Sequence, residues 1–255
     1  MSTDKPRKDV IIVTGGGRGI GAEVVEQLAK RDVPVCFSYV SRDSEANALV
    51  ARLQAEGYQC AAIKADVGHP ADIEKMFKFA QDKFGVLGGL VNNAGYVGQV
   101  GRKISNVDLE TLHKTFDVNV IGPILCAQHA LKQLSTAHGG KGGKIINVSS
   151  IAARTGSPND WVDYAASKAA LNTFTLGLAR EVAKEGVQVI GVAPGGVATE
   201  LHAQAGGPGR IEKFSTVTPI GRAAHPSEIA DVVVWALLDA PCYITGTTID
   251  VAGGL

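Results

Sequence analysis

The chain has 255 residues, 45% of them hydrophobic, enough to bury a sizeable core and at the upper end for one α/β domain. Its 25 basic and 25 acidic residues balance, so no net field draws nucleic acid or an anionic membrane, and 5% aromatics argue against a base-stacking surface. No apolar run approaches the ~20 residues of a bilayer span. The polar start, MSTDKPRK, reads as a flexible tail over 1–8 and not as a signal peptide. Cys36, Cys60, Cys126 and Cys242 show no metal-type spacing and read as small core hydrophobes of a reducing compartment, so a soluble, cytoplasmic protein is expected.

In chain order, a β-branched run over 10–14 meets a glycine-rich turn, and a helical pattern follows to about Lys30 with Ile20, Val24, Val25 and Leu28 on one face. A second strand spans 33–39, a helix opens near Ser41 and stops at Gly57, and a third strand spans 60–65. Helical spacing returns over 71–84, and a fourth strand ends in Asn92-Asn93-Ala94-Gly95. A long helix is expected from about Asp108 to Ala137, bent by Gly122-Pro123. The fifth strand spans 144–148, a helix carrying Tyr164 runs to about Lys184, and a sixth strand spans 187–192 before Pro194-Gly195. Pro226 starts another helix to about Leu238, and a last strand is expected over 243–251.

Strands alternating with helices imply right-handed βαβ units. The expected fold is a single doubly wound α/β domain over 9–255, with about seven mostly parallel strands and helices on both faces. The segment 200–219, rich in Gly, Ser and Thr, reads as a mobile lid over a substrate.

Gly15, Gly19 and Gly21 stand at the first strand-to-helix junction, where a tight turn and a helix N-terminus can meet a pyrophosphate. The spacing is G-x-x-x-G-x-G, with Ile20 in the last glycine slot of the commoner fingerprint. An acid ending the second strand would hydrogen-bond a ribose 2′-hydroxyl. Here Ser38-Tyr39-Val40-Ser41 ends it, with no carboxylate before Asp43, while Arg18 and Arg42 offer guanidinium groups suited to a 2′-phosphate. NADP(H) is therefore expected over NAD(H).

The stretch from Asn147 to Lys168 carries the chemistry. It delivers Ser149 and Ser150 at a strand end, then Tyr164 and Lys168 one helical turn apart. A phenol with its ordinary pKa of ~10 moves protons near neutrality only if its anion is stabilised, and an ammonium one turn away supplies that. A serine beside them could hold a substrate oxygen. On its own, Tyr-x-x-x-Lys is weak evidence.

Taken together, Thr14-Gly-x-x-x-Gly19-Ile20-Gly21, Asp66, Asn92-Asn93-Ala94-Gly95, Asn119, Ser150, Tyr164-x-x-x-Lys168 and Pro194-Gly195 resemble, in order, the short-chain dehydrogenase/reductase family over essentially the whole length. The resemblance implies a Rossmann-type fold and an oxidoreductase acting on a small carbonyl or alcohol substrate. It implies Tyr164 as general acid or base, Lys168 lowering its pKa and binding the nicotinamide ribose, Ser150 polarising the substrate oxygen, and Asn119 anchoring a water that links Lys168 to solvent. It places Gly15, Gly17, Arg18, Gly19, Ile20, Gly21, Ser41 and Arg42 at one end of the cofactor. Asp66 and Val67 would flank the adenine, Asn93, Ala94 and Gly95 the adjoining ribose, and Pro194, Gly195, Val197 and Thr199 the nicotinamide. Relatives commonly form tetramers through the long helices and the last strand, so a homotetramer or homodimer is implied.

The interval from Ser150 to Tyr164 is one residue longer than is frequent in that family, and Ser157-Pro158-Asn159-Asp160 can absorb it. Ser149 is read as a capping serine. Asn159 and Trp161 are candidates for the substrate pocket. His113, His129, His138 and His202 lack metal-ligand neighbours, so no metal is expected. Two other readings remain: an NAD-dependent sugar or polyol dehydrogenase, and a dinucleotide-binding sensor or subunit without catalysis.

Overall fold

The structure is a computed structural model that describes residues 9–99, 101–199 and 209–255. Seven strands form one sheet: β1 (Val10–Val13), β2 (Val35–Tyr39), β3 (Cys60–Lys64), β4 (Leu87–Asn92), β5 (Gly143–Val148), β6 (Val187–Pro194) and β7 (Thr248–Val251). Their order is β3-β2-β1-β4-β5-β6-β7 and every adjacent pair is parallel. The β-branched runs explain this: β1 is buried at all of its positions, as a strand covered on both faces must be.

Side chains alternate along the strands. Ile11, Val13, Val91, Ile146, Ile190 and Val192 face one layer, which includes Val24 and Leu28 of α1 (Gly19–Lys30) and Ile229 and Val233 of a late helix, Pro226–Leu238. Val10, Ile12, Leu90, Ile145 and Val189 face the other. That layer holds α3 (Pro70–Phe84), α5 (Gly122–Leu134) and α7 (Val162–Val182). Among the described residues the remaining α-helices are α2 (Asp43–Ala55), α4 (Leu109–Phe116), the single turn α6 (Ala152–Thr155) and α8 (Arg210–Val217), which makes Pro226–Leu238 α9.

Three expectations need correction. The long helix runs unbroken through α4 and α5, but a π-type turn at Asp117–Ile121 interrupts its α-helical register, and Pro123 is tolerated because it lies in the first turn of α5. The helix ends at Leu134, since Ser135 turns extended and its hydroxyl accepts the Ala137 N–H. The last strand is only Thr248–Val251: Tyr243 is 95% exposed and the preceding residues form turns. The 1–8 tail and the 200–208 half of the expected lid lie outside the described residues. The other half contains α8, whose Phe214 ring lies so close to Gly196 that a Cβ there would meet it at 2.4 Å.

The chain runs outward from β1 to β3 and then crosses back to β4. The strand order therefore reverses between β1 and β4, and a crevice opens beyond their C-terminal ends. β1, β4, β5 and β6 all deliver their trailing loops to it.

Candidate active site

A cavity of about 330 Å³ occupies that crevice. Every expected catalytic and cofactor-binding residue lines it except Asn119. The glycine loop forms its floor. Gly15 and Gly19 sit at φ +65° and +54°, and a Cβ on Gly21 would stand 2.2 Å from the Gly15 carbonyl oxygen, so only glycine fits there. The Gly15 N–H donates to Ser38 Oγ at 3.1 Å and the Gly16 N–H to the Ser38 carbonyl at 2.9 Å, tying the loop to β2. No side chain caps α1, whose first N–H groups have no intrahelical acceptor by helix geometry. A backbone this close-packed beside an uncapped helix N-terminus is a cradle that fits a pyrophosphate.

At the end of β2, Tyr39, Val40, Ser41 and Arg42 line the cavity. Arg42 is held in the left-handed region at φ 65° and pairs with Glu45 at 3.5 Å. The nearest carboxylate after the strand, Asp43, is turned to Lys64 at 3.0 Å and to the Tyr39 hydroxyl at 3.3 Å and does not line the cavity. Asp66 does, but its Oδ1 accepts the Gly68 N–H at 2.9 Å in a local turn. The guanidinium groups of Arg18 and Arg42 at this end fit a phosphate.

Between the two halves, Thr14 and Asn93 clasp β1 to β4. Thr14 Oγ1 accepts the N–H groups of Asn93 and Ala94 at 3.0 Å each, and Asn93 Nδ2 donates to the carbonyls of Thr14 and Gly15 at 3.0 Å each. The Asn93 amide nitrogen is therefore engaged with the glycine loop.

At the far end, α7 turns Tyr164 (8% exposed) and Lys168 (3% exposed) inward, one turn apart. Ser149 Oγ donates to the Lys168 carbonyl at 3.2 Å, fastening β5 to α7, while Ser150 Oγ accepts the Ala152 N–H at 3.1 Å and lines the cavity. The longer interval to Tyr164 is taken up by α6 and a turn with Gly156, Ser157 and Asn159 at positive φ. Trp161 is buried against Tyr164, with ring centroids 5.3 Å apart, behind the cavity wall; neither it nor Asn159 lines the cavity.

Asn119 stands in the π-type turn, fully buried. Its Oδ1 accepts the Tyr96 N–H at 2.8 Å, and its Nδ2 donates to the Tyr96 carbonyl at 2.8 Å and to Ser167 Oγ at 3.0 Å. Both ends of its amide thus bind α4–α5 to the segment after β4 and to α7.

Burial dominates the electrostatics at this end. Burial pushes the Tyr164 phenol up to about 12, opposed by a hydrogen bond with Ser150. Lys168 Nζ donates to the Val148 carbonyl at 2.8 Å and lies 5.7 Å from the Tyr164 ring centroid. Burial in turn pushes the Lys168 ammonium down from 10.5 to about 8. Desolvation is thus the largest cause on both groups.

This has a measurable consequence. Between pH ~8 and ~10.5 the unfolded chain holds more protons at Lys168 than the folded one, so this side chain costs stability below that window and the cost fades as pH rises through it. The gap corresponds to roughly 3 kcal/mol, offset by about 1 kcal/mol from the hydrogen bond to Val148. Lys168→Met is expected to be more stable by about 2 kcal/mol at pH 7. Thermal unfolding should show that advantage shrinking as pH rises from 8 to 10.5; an advantage independent of pH would contradict this account.

Sequence reasoning missed several lining residues. Lys114 of α4 reaches the cavity, its Nζ 4.9 Å over the Tyr96 ring, one turn before the cavity-lining Val118 on the same helix face. Beneath the floor, Asn92 Nδ2 donates to Asn147 Oδ1 and Asn147 Nδ2 to Thr175 Oγ1, both at 2.9 Å, a buried polar chain from β4 to α7 with no local signature. Three cysteines are core residues as expected, but Cys242 is exposed; burial pushes the Cys36, Cys60 and Cys126 thiols up to about 12. Among the described residues no cluster of His, Cys, Asp and Glu could hold a metal, and no helix is long and apolar enough to cross a membrane.

Comparison with known proteins agrees with this geometry. A family model described as Enoyl-(Acyl carrier protein) reductase matches residues 15–255. The uncharacterized oxidoreductase YgfF of Escherichia coli (strain K12) is 38% identical over 245 residues, 96% of this chain and 99% of that protein. A short chain dehydrogenase from Burkholderia cenocepacia J2315, solved in complex with NADP, is 31% identical with a TM-score of 0.88, over 98% of this chain and 99% of its own. A blue fluorescent protein from a metagenomic library, solved in complex with NADPH, is 33% identical with a TM-score of 0.87, over 96% and 97% of the two chains. Likeness of this extent, on a sheet whose switch point holds the glycine loop and the Tyr164 helix in one cavity, places the chain in the short-chain dehydrogenase/reductase family of oxidoreductases.

Proposed function

We propose that the protein is an NADP(H)-dependent oxidoreductase that moves a hydride between the nicotinamide and the carbon of a small carbonyl or alcohol substrate, with Tyr164 as general acid or base. The observation that carries this is the Tyr164 phenol, buried at one end of the same cavity whose other end offers Arg18 and Arg42 and no carboxylate at the β2 terminus. NADP(H), when bound, supplies or accepts the hydride. Its complexes with two of the structures above support the choice of dinucleotide.

The chain's own residues do the rest. The glycine loop and the α1 N-terminus hold the pyrophosphate, Arg18 and Arg42 the 2′-phosphate, Asp66 and Val67 the adenine, and Pro194, Gly195, Val197 and Thr199 the nicotinamide end. Ser150 holds the substrate oxygen by a hydrogen bond. Tyr164, held protonated by burial, gives its proton to that oxygen as charge develops there. Lys168 then stands one turn away as the cation nearest the phenolate, and Asn119 keeps the turn beside it in place. The reverse sequence oxidises an alcohol. The 200–219 segment is taken as the substrate cover, with Phe214 seated on Gly196 as its described anchor.

The assembly is proposed as a homotetramer or homodimer of a cytoplasmic protein. Leu109, Phe116 and Ile121 along α4–α5, and Val162 and Leu176 on α7, leave apolar surface exposed, and β7 is an edge strand. Light scattering in solution tests the mass.

The cofactor assignment is tested by titrating the purified protein with NADPH and with NADH, following nicotinamide fluorescence. Binding of NADPH at least about tenfold tighter is expected, followed by turnover in a carbonyl panel. Preference for NADH would refute the arginine reading, and binding of neither would refute the function.

A further inference from the structure

Next to the Tyr164 ring the chain buries a charge pair that the catalytic reading leaves without a task. Asp163 has a side chain 1% exposed, and Arg102, in the loop after β4, has one 10% exposed. Arg102 Nη2 donates to Asp163 Oδ2 at 2.5 Å. Its Nη1 donates to the carbonyls of Val97, at 3.0 Å, and Gln99, so the guanidinium ties together residues 97, 99 and 102. The Gly101 N–H donates to Asp160 Oδ1 at 3.1 Å and the Arg102 N–H to the Asp160 carbonyl at 3.3 Å. The loop is thereby fastened to both sides of Trp161.

What is fastened matters. Val97, 4% exposed, packs in a small apolar cluster with Ala152, Trp161, Ala165 and Tyr164 itself. Burying two charges is expensive, and apolar residues of similar volume would fill the space with less desolvation cost. Apolar residues would not supply the rigid planar fork that holds two carbonyls and a carboxylate at fixed angles.

We propose that Arg102 and Asp163 are positioning residues: they latch residues 97–99 and 101–102 to the start of α7 and, through Val97, set the seat of the Tyr164 phenol. The proposal rests on Tyr164 being the proton-transfer group. It concerns the geometry of the phenol, not cofactor binding, because neither residue lines the cavity.

The test uses the full chain as wild type, Arg102→Met, Asp163→Asn, Arg102→Lys and the Arg102→Met/Asp163→Asn double variant. Hydrogen exchange over 97–99 and 101–102, Tm, NADPH affinity, and kcat and KM for the best-reduced carbonyl are measured on each. Both neutralising single variants should speed exchange over 97–99 and 101–102, lower Tm, and lower kcat about tenfold or more, since small misplacements of a reacting group have effects of that size. NADPH affinity should stay within about threefold of wild type. The double variant, with no orphaned buried charge, should regain Tm but not kcat, and Arg102→Lys, which keeps charge without the fork, should resemble Arg102→Met in kcat. A double variant that regains both Tm and kcat overturns the positioning role, as does unchanged exchange in the single variants. If wild type reduces no carbonyl, the oxidoreductase reading fails, and the latch stands or falls on the exchange data.

Discussion

Tyr164→Phe is expected to lower kcat by about 10²–10⁴-fold, the usual contribution of a positioned general acid, with NADPH affinity changed by less than about threefold. The substitution is clean because the ring stays. Phe keeps the contacts with Trp161, Val97, Ala152 and Ala165 and loses only the hydroxyl and its hydrogen bond with Ser150. A phenol that burial raises to about 12 carries its proton at any working pH, so the variant removes a donor and not a charge. Stopped-flow oxidation of NADPH against a carbonyl substrate, alongside a binding titration, separates the two effects. Turnover within a few-fold of wild type would remove Tyr164 from the chemistry, while lost NADPH binding would mean that the phenol supports the cavity and not the proton transfer.

The second large effect is expected at the other end of the cavity. Arg42→Asp replaces a guanidinium with the acid that NAD-binding members carry near this point, and Asp tolerates the left-handed φ of 65° that the position requires. The affinity for NADPH should fall roughly 10–150-fold, the size of one lost charge-assisted hydrogen bond, while NADH binding holds or tightens. Arg18→Ala should weaken NADPH in the same sense without improving NADH. Equal losses for both dinucleotides in Arg42→Asp would show that the residue shapes the loop before α2 and does not read the 2′ position.

Asn93 shows where reading along the chain stops. Its place after β4 is legible from Asn92-Asn93-Ala94-Gly95, and the structure does bring it to the cavity. Yet its amide is taken by the carbonyls of Thr14 and Gly15, residues close to eighty positions away that only the β1–β4 pairing brings near. Lys114 was passed over for the converse reason, since its helix carries ordinary surface residues until the fold turns one face to the crevice. Arg102 likewise looks like a solvated loop cation until Asp163 is buried beside it.

The sequence by itself determined the alternating strands and helices, the glycine turn at the first strand-to-helix junction, the missing acid at the end of β2, and the shared helix face of Tyr164 and Lys168. Each is a property of neighbours within one or two turns or one strand, governed by period and backbone sterics. Only the tertiary structure decided that Tyr164 and Lys168 are pushed to about 12 and about 8, that a π-type turn interrupts the α-helical register at Asn119, and that Arg102 reaches Asp163. Those outcomes depend on desolvation and on contacts between distant segments, and both come into being only when the sheet and its two helical layers close around the crevice.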